Sequence, residues 1–330
     1  MQIIRSTIGT ADIQQRITEQ YGDFLPGATC LFEYRGVNDI YRFTNGNLHY
    51  FFKIYARKDV DVTAVAAEVE IVNYLKLSGL SVAYPIPMQN GQYLLPIDAP
   101  EGTRYGVLFS DAGGASCDDV GLDATETAEI GRLFSSMHTL LDVMPTTPQR
   151  WKLDDQLFLD RSIEILAAYN KINHQIDMSF LKSLVKEIKE HIQNNARNWN
   201  WGLCHGDMYT GNIHKRHDGE LTIIDFDFCG YGWRAYDISP FLGMFSAGLD
   251  EVAADKRKRR LESFLYGYET IGGLSNSEIE AVYKTFVPFR RIFNMGYLYD
   301  TLYYVWGNKL RDDLIARDTK LLREWTDHYW

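Results

Sequence analysis

Residues 203–212 read LCHGDMYTGN, and a second stretch close behind them, residues 222–227, reads TIIDFD. Each begins as a short apolar run and then breaks, the first at His205-Gly206 and the second at Asp225, so the polar residues stand at the ends of strands. Two acidic positions, Asp207 and Asp225, and one amide, Asn212, are thereby gathered at strand ends. An Asp and an Asn five residues apart on one loop can aim the carboxylate at an attacking hydroxyl and the amide oxygen at a metal ion. The Asp that opens the next loop adds a charged ligand, and hard magnesium prefers oxygen, usually from one or two carboxylates plus phosphate. Transfer of a phosphoryl group from ATP asks for little more than this, with a cation added on the phosphates.

A candidate for that cation lies upstream. Ile40–Thr44, then Asn45-Gly46, then Leu48–Tyr55 reads as a β-hairpin, because Asn-Gly supplies the positive φ of a tight turn. Its second strand carries Lys53 between Phe52 and Ile54, a setting in which a charge needs a partner. The following segment, Val62–Ser78, has Val65, Val69, Val72 and Leu75 at helical spacing and ends at Gly79. Glu68 on that helix is the expected partner, with Glu70 as the rival. Ala28–Arg35, Gln92–Ile97 and Tyr105–Ser110 complete five expected strands, and Asp111-Ala112-Gly113-Gly114 reads as a link. The first third is thus a small sheet with one helix.

Beyond the link the pattern turns helical. Ala124–Leu141 sets Ile130, Leu133, Phe134, Met137, Leu140 and Leu141 on one face behind Asp123 as N-cap, and Met178–Ile192 repeats the pattern. Trp201–Cys204 and Leu221–Phe226 are expected as a strand pair interrupting the helices. Ser239-Pro240 reads as a cap followed by Pro at a first helical position, and Ser275 with Glu278 as a capping box.

The 330 residues are long for one hydrophobic core and favour two domains. A net charge of −10 argues against a duplex-binding surface, so no nucleic-acid partner is expected, although Lys256–Arg260 is a local basic patch. No window approaches the roughly 20 apolar residues that span a bilayer, and Met1–Arg16 lacks a secretory signal pattern. Cys30, Cys117, Cys204 and Cys229 are scattered without metal or disulfide spacing, which leads us to expect reduced thiols in a cytoplasmic protein.

HGDMYTGN, IIDFDF and YGWRAYDI (231–238), together with Lys53 in FFKIY and Glu68 in EVEIVNYLKLSGLSVAYPIP, resemble the aminoglycoside phosphotransferase and choline kinase superfamily. The likeness runs in order along nearly the whole chain, the last ninety or so residues matching only in being helical. It implies an α+β, two-lobed protein-kinase-like fold: an antiparallel-sheet nucleotide-binding lobe over residues 1–112 and a mainly helical lobe over 113–330 carrying the catalytic loop and acceptor site. It further implies ATP and Mg2+ as cofactors and the hydroxyl of a small-molecule alcohol as acceptor, whether aminoglycoside, amino alcohol or homoserine-like compound. By the same resemblance Asp207 is the catalytic aspartate, Asn212 and Asp225 hold the metal, and Lys53, oriented by Glu68, pairs the phosphates. Asp237 resembles a structural aspartate that braces the catalytic loop, and Ser110–Gly114 an inter-lobe hinge facing the adenine.

There are departures from protein kinases. Arg35-Gly36-Val37-Asn38-Asp39 lacks the three glycines of their phosphate loop, and His205-Gly206 stands where they carry His-Arg. Two other readings stay open: a Ser/Thr protein kinase of the bacterial stress-kinase type, and a nucleotide-binding pseudokinase, against which retention of all five positions weighs. Asp227 stands between a functional and a local backbone role, His205 reads as structural, and the aromatic stretch Phe289–Trp306 as core or pocket.

Overall fold

The computed structural model describes residues 3–22, 25, 27–56, 61–173, 176–242, 251–269 and 273–330, with backbone alone at 119, 173 and 303–306. In chain order the N-terminal part forms α1 (Thr10–Tyr21), β1 (Thr29–Arg35), β2 (Asp39–Asn45), β3 (Leu48–Ile54), α2 (Val62–Leu77), β4 (Leu95–Ala99) and β5 (Gly102–Ser110). There follow β6 (Ala115–Ser116), α3 (Cys117–Val120), α4 (Ala124–Asp142), β7 (Lys152–Leu153), α5 (Arg161–Asn173), α6 (Met178–Asn195) and β8 (Trp201–Cys204). The remainder forms β9 (Ile213–Lys215), β10 (Leu221–Ile223), β11 (Gly230–Trp233), α7 (Arg234–Leu242), α8 (Glu251–Tyr268), α9 (Asn276–Ala281), α10 (Val287–Phe293) and α11 (Tyr299–Tyr329). The class is α+β, as expected. Within the chain, residues 3–114, 146–149 and 214–227 form one compact unit and 115–145, 150–213 and 228–330 another.

In the first unit five antiparallel strands lie in the order β1-β2-β3-β5-β4. Alternation decides which side chain meets which helix. Tyr41, Phe43, Phe52, Ile54 and Leu108 pack with Ile13, Ile17 and Tyr21 of α1. Val107 packs with Val65 and Val69 of α2, and Lys53, paired with Val107 in the ladder, shares its side of the sheet. Helix α1 is an addition to the single helix expected here: its apolar residues recur at i, i+4 and i+8, but Gly9 gives it no side-chain cap. The hairpin also closes one residue later than expected. Asn45 pairs with Leu48, so the two-residue loop is Gly46-Asn47, with positive φ at Gly46 alone among the two.

Strand β10 is fixed to this unit by its neighbours: Ala83 N donates to Ile223 O at 2.9 Å, Ile223 N to Ser81 O at 3.0 Å, and the Ser81 and Thr222 hydroxyls are 2.9 Å apart. The expected pairing of 201–204 with 221–226 is not formed. Strand β8 instead pairs antiparallel with β11, which runs parallel to β7, while β10 pairs with β9. The reason is local: a short polar turn lets β9 and β10 form their own hairpin, leaving β8 for the next extended segment.

In the second unit α4 meets α8 through Phe134 and Phe264, whose rings lie edge to face at 5.2 Å. Asp123 caps α4 as expected, with Glu126 completing a capping box that was not foreseen, and Ser275 forms the expected box with Glu278. Pro240 does not begin a helix. It sits inside α7, where the carbonyl of Tyr236, deprived of the proline N–H, accepts the Ser239 hydroxyl at 2.9 Å. Phe289, Phe293, Tyr297 and Tyr299 are buried, Phe289 stacking on Phe158 at 4.9 Å, so this part of the aromatic stretch is core; the side chains of 303–306 lie outside the described residues.

Candidate active site

The first unit assembles three of the five candidate residues around one ammonium. Lys53 Nζ donates to Glu68 Oε1 at 2.8 Å and to Asp225 Oδ1 at 3.1 Å. Phe52 and Ile54 anchor the strand on its α1 side, so Lys53 is turned by the pleat toward α2, where Glu68 faces the sheet. Glu70, the rival, is exposed and accepts from the Thr146 hydroxyl at 2.5 Å. Burial disfavours the charged ammonium, yet Glu68, with Tyr55, Asp225 and Asp227, outweighs it and holds the Lys53 pKa well above its ordinary value.

Asp225 is, among the described residues, the single non-glycine with positive φ, at 61°. Asp tolerates this left-handed conformation better than most residues, and here it turns a carboxylate off the end of β10 toward Lys53. The Asp225 side chain remains 42% exposed. Two residues on, Asp227 is buried and accepts from Asn38 Nδ2 at 2.9 Å, while Asn38 Oδ1 accepts from Ala56 N at 3.1 Å. The turn that lacks glycines is thus fastened by a side-chain amide to the Asp225 loop.

The second unit holds the other two. Asn212 Nδ2 donates to the Asp207 carbonyl at 2.8 Å, which orients its Oδ1 away from the loop backbone. Asp237, fully buried, accepts from His205 N at 2.9 Å and Gly206 N at 2.7 Å, and so braces the loop from behind. His138 joins this brace, with Nε2 against Asp237 at 2.9 Å and Nδ1 against the Tyr268 hydroxyl at 2.8 Å. Burial, then Arg234, pushes His138 down to about 4, so the ring is neutral, donates from Nε2 and accepts at Nδ1. His138, Cys204 and Asp237 lie close enough to share a metal, but these hydrogen bonds account for the imidazole and the carboxylate. Gly206 has φ of 84°, and a Cβ there would come within 2.2 Å of Phe228 O, which is why the loop carries glycine ahead of Asp207.

One group in this site was not foreseen. Arg290, on α10, donates to Asp207 Oδ1 at 2.5 Å, to Gly206 O at 2.9 Å and to Tyr236 Oη at 2.7 Å. Burial alone would weaken the guanidinium charge, but Asp207 and Tyr236 hold its pKa above the ordinary value. The one sequence signal was weak: two arginines, Arg290 and Arg291, in an otherwise apolar helix.

The phosphotransferase enzyme family, abbreviated APH, matches residues 36–274 of the chain. An uncharacterized protein of Synechocystis is 29% identical over 282 residues, covering 82% of this chain and 73% of that protein. Among solved structures, amicoumacin kinase hAmiN in complex with AMP-PNP, Ca2+ and Ami aligns with a TM-score of 0.75 at 20% identity, covering 97% of this chain and 94% of that one. A microcompartment-associated aminopropanol kinase aligns with a TM-score of 0.70 at 19% identity, covering 94% of each chain. At these identities the likeness concerns the fold, which is protein-kinase-like. Among the described residues no helix is long and apolar enough to cross a membrane.

Proposed function

The chain belongs to the APH phosphotransferase enzyme family, and on that premise we propose that it transfers the γ-phosphoryl group of magnesium-bound ATP to the hydroxyl of a small-molecule alcohol. The observation that carries this reading is the Lys53 ammonium held at once by Glu68 and Asp225. It sets a cation for phosphate oxygens beside a carboxylate for their metal. Residues 1–112 would serve the nucleotide and 113–330 the acceptor, with Asp225 reaching the nucleotide side through the 214–227 excursion. A cytoplasmic setting would supply ATP and keep the four buried, free cysteines reduced.

Asn212 and Asp225 would hold the magnesium: both offer oxygen, one as an oriented amide and one as a part-exposed carboxylate, the donor set a hard cation takes. Bound there, the metal would neutralise charge on the phosphates during transfer. Lys53 would pair the α and β phosphates, and Glu68 would keep it pointed. Asp207, with Oδ1 committed to Arg290, would offer its other oxygen to the acceptor hydroxyl and take the proton as the new O–P bond forms.

The test is Asp207→Asn, chosen over Ala because Ala would leave the buried Arg290 charge unpaired at a cost of roughly 3–5 kcal/mol. We expect turnover to fall by about 10²–10⁴, the range of a lost general base, while AMP-PNP binding survives. A folded variant that no longer binds nucleotide, or that turns over at the parental rate, would remove Asp207 from this role. A panel of amino alcohols, aminoglycosides and generic proteins as acceptors separates the small-molecule reading from protein phosphorylation.

A further inference from the structure

The second unit carries a cavity of about 440 Å³ whose wall includes Asp118, Asp123, Thr210, Lys256, Arg259 and Arg260. The three cations come from one face of α8, at spacings of three and four residues. The lining also carries two carboxylates, each engaged by a hydrogen bond from a neutral donor. Asp123 caps α4 by accepting from Glu126 N at 2.8 Å, and Asp118 accepts from the Thr210 hydroxyl. Of the cations, Arg259 pairs with Asp255 on its own helix, whereas Lys256 and Arg260 have no ion-pair partner among the described residues. Arg260 is part-buried with its guanidinium over the Phe241 ring at 4.4 Å, and its buried Nε finds no hydrogen-bond partner. Burial lowers the Arg260 pKa, and Tyr283, Asp118 and Cys117 offset it only in part, so the guanidinium would gain from a further anion.

Position gives the cavity its meaning. Thr210 lies on the loop of Asp207, three residues on, and three peptide units span at most about 11 Å. The cavity therefore opens within a short molecule's length of the proposed base. We infer that it binds an oxyanion, carboxylate or phosphate, borne by the acceptor, with Arg260 and Lys256 as counter-ions. This rests on the phosphotransfer reading above and narrows it: the acceptor is a hydroxylated acid or phosphate ester, despite the net charge of −10 on the whole chain. Arg presents a planar fork suited to such groups, and a second cation, Lys256, one turn earlier on the same helix would hold the charge without fixing its orientation.

The experiment compares matched acceptors, homoserine against 3-amino-1-propanol and glycerol 3-phosphate against glycerol, with the full chain, ATP and magnesium. The anionic member of at least one pair gives the higher kcat/KM by about tenfold, the scale of one charge-assisted contact, and the pair that shows it tells carboxylate from phosphate. Lys256→Gln with Arg260→Gln collapses that ratio through KM, while Lys258→Gln, on the same helix but outside the cavity wall, retains it. Lys256→Gln alone, at an exposed position, gives a partial collapse in a variant whose folding is not in question. A ratio indifferent to these substitutions, or preference for the uncharged members, overturns the inference and leaves phosphotransfer standing. If no acceptor is turned over, malonate and inorganic phosphate are titrated calorimetrically into AMP-PNP-saturated protein. Binding that weakens tenfold or so in the double variant upholds the site while the phosphotransfer reading falls, and absence of any binding overturns the site.

Discussion

Arg290 Nη2 meets Asp207 Oδ1 at 2.5 Å, and the same guanidinium reaches Gly206 O and Tyr236 Oη. One buried cation thus fixes the rotamer of the proposed catalytic carboxylate and the backbone ahead of it. Arg290→Met would release Asp207 Oδ1 from the guanidinium and leave Gly206 O and Tyr236 Oη only their mutual hydrogen bond, so we expect kcat to fall by about 10²-fold, the effect of a small misplacement of a reacting group, with KM for ATP little changed. Arg290→Lys keeps charge but not the fork, and should fall between. Steady-state kinetics paired with thermal melting checks this, and an unchanged kcat in folded Arg290→Met would sink it.

That contact spans 83 residues, and nothing local announces it. Lys53 and Glu68 were legible because a charge between Phe52 and Ile54 on an alternating strand has one side to point to, and a helix follows at once. Asp123 as a cap and the Ser275-Glu278 box were legible because capping is local chemistry. The partner of β8 was not, since Trp201–Cys204 has no side-chain feature that selects β11 over β10. Arg290 belongs to the same class: its role comes from where α10 packs, and apolar periodicity records that a helix is buried without recording against what.

The Lys53–Glu68 pair makes a prediction about stability apart from catalysis. Glu68 is 1% exposed, so Lys53→Met leaves its buried carboxylate without the cation that balances it and should cost roughly 3–5 kcal/mol in urea unfolding. Lys53→Met combined with Glu68→Leu removes both charges and should recover most of that stability, yet none of the phosphotransfer activity. A double variant as unstable as the single one would mean that the loss came from packing and not from the unbalanced charge.

His138 should give the protein an acid-sensitive step. Its pKa falls from 6.5 to about 4 on folding, chiefly through burial, so between those values the unfolded chain binds the extra proton and the folded chain does not. Stability from this group is therefore full above pH 6.5 and lost as the pH falls toward 4, on the order of 3 kcal/mol over that window. Asp237, which burial alone would raise, is held below its ordinary 3.8 by its surroundings, first among them the hydrogen bond from His138, and adds a loss in the same direction only at lower pH. Melting temperature followed from pH 7 to 4 should drop more steeply in the parent than in His138→Gln; parallel curves would show that the imidazole is not the group responsible.

The amide of Asn38 ties the β1–β2 turn to Asp227, two residues from the proposed metal ligand. Asn38→Ala removes one donor to a buried carboxylate and one acceptor for Ala56 N, a cost of about 1–3 kcal/mol. Because the turn and the Asp225 loop would both lie against the triphosphate, loosening them should raise KM for ATP by about tenfold and leave KM for the acceptor nearly untouched. Asn38→Asp sets a second carboxylate against Asp227 and should be worse on both stability and KM for ATP. If KM for ATP stays at the parental value in both variants while melting temperature falls, the clamp holds the fold of the first unit and has no part in seating the nucleotide.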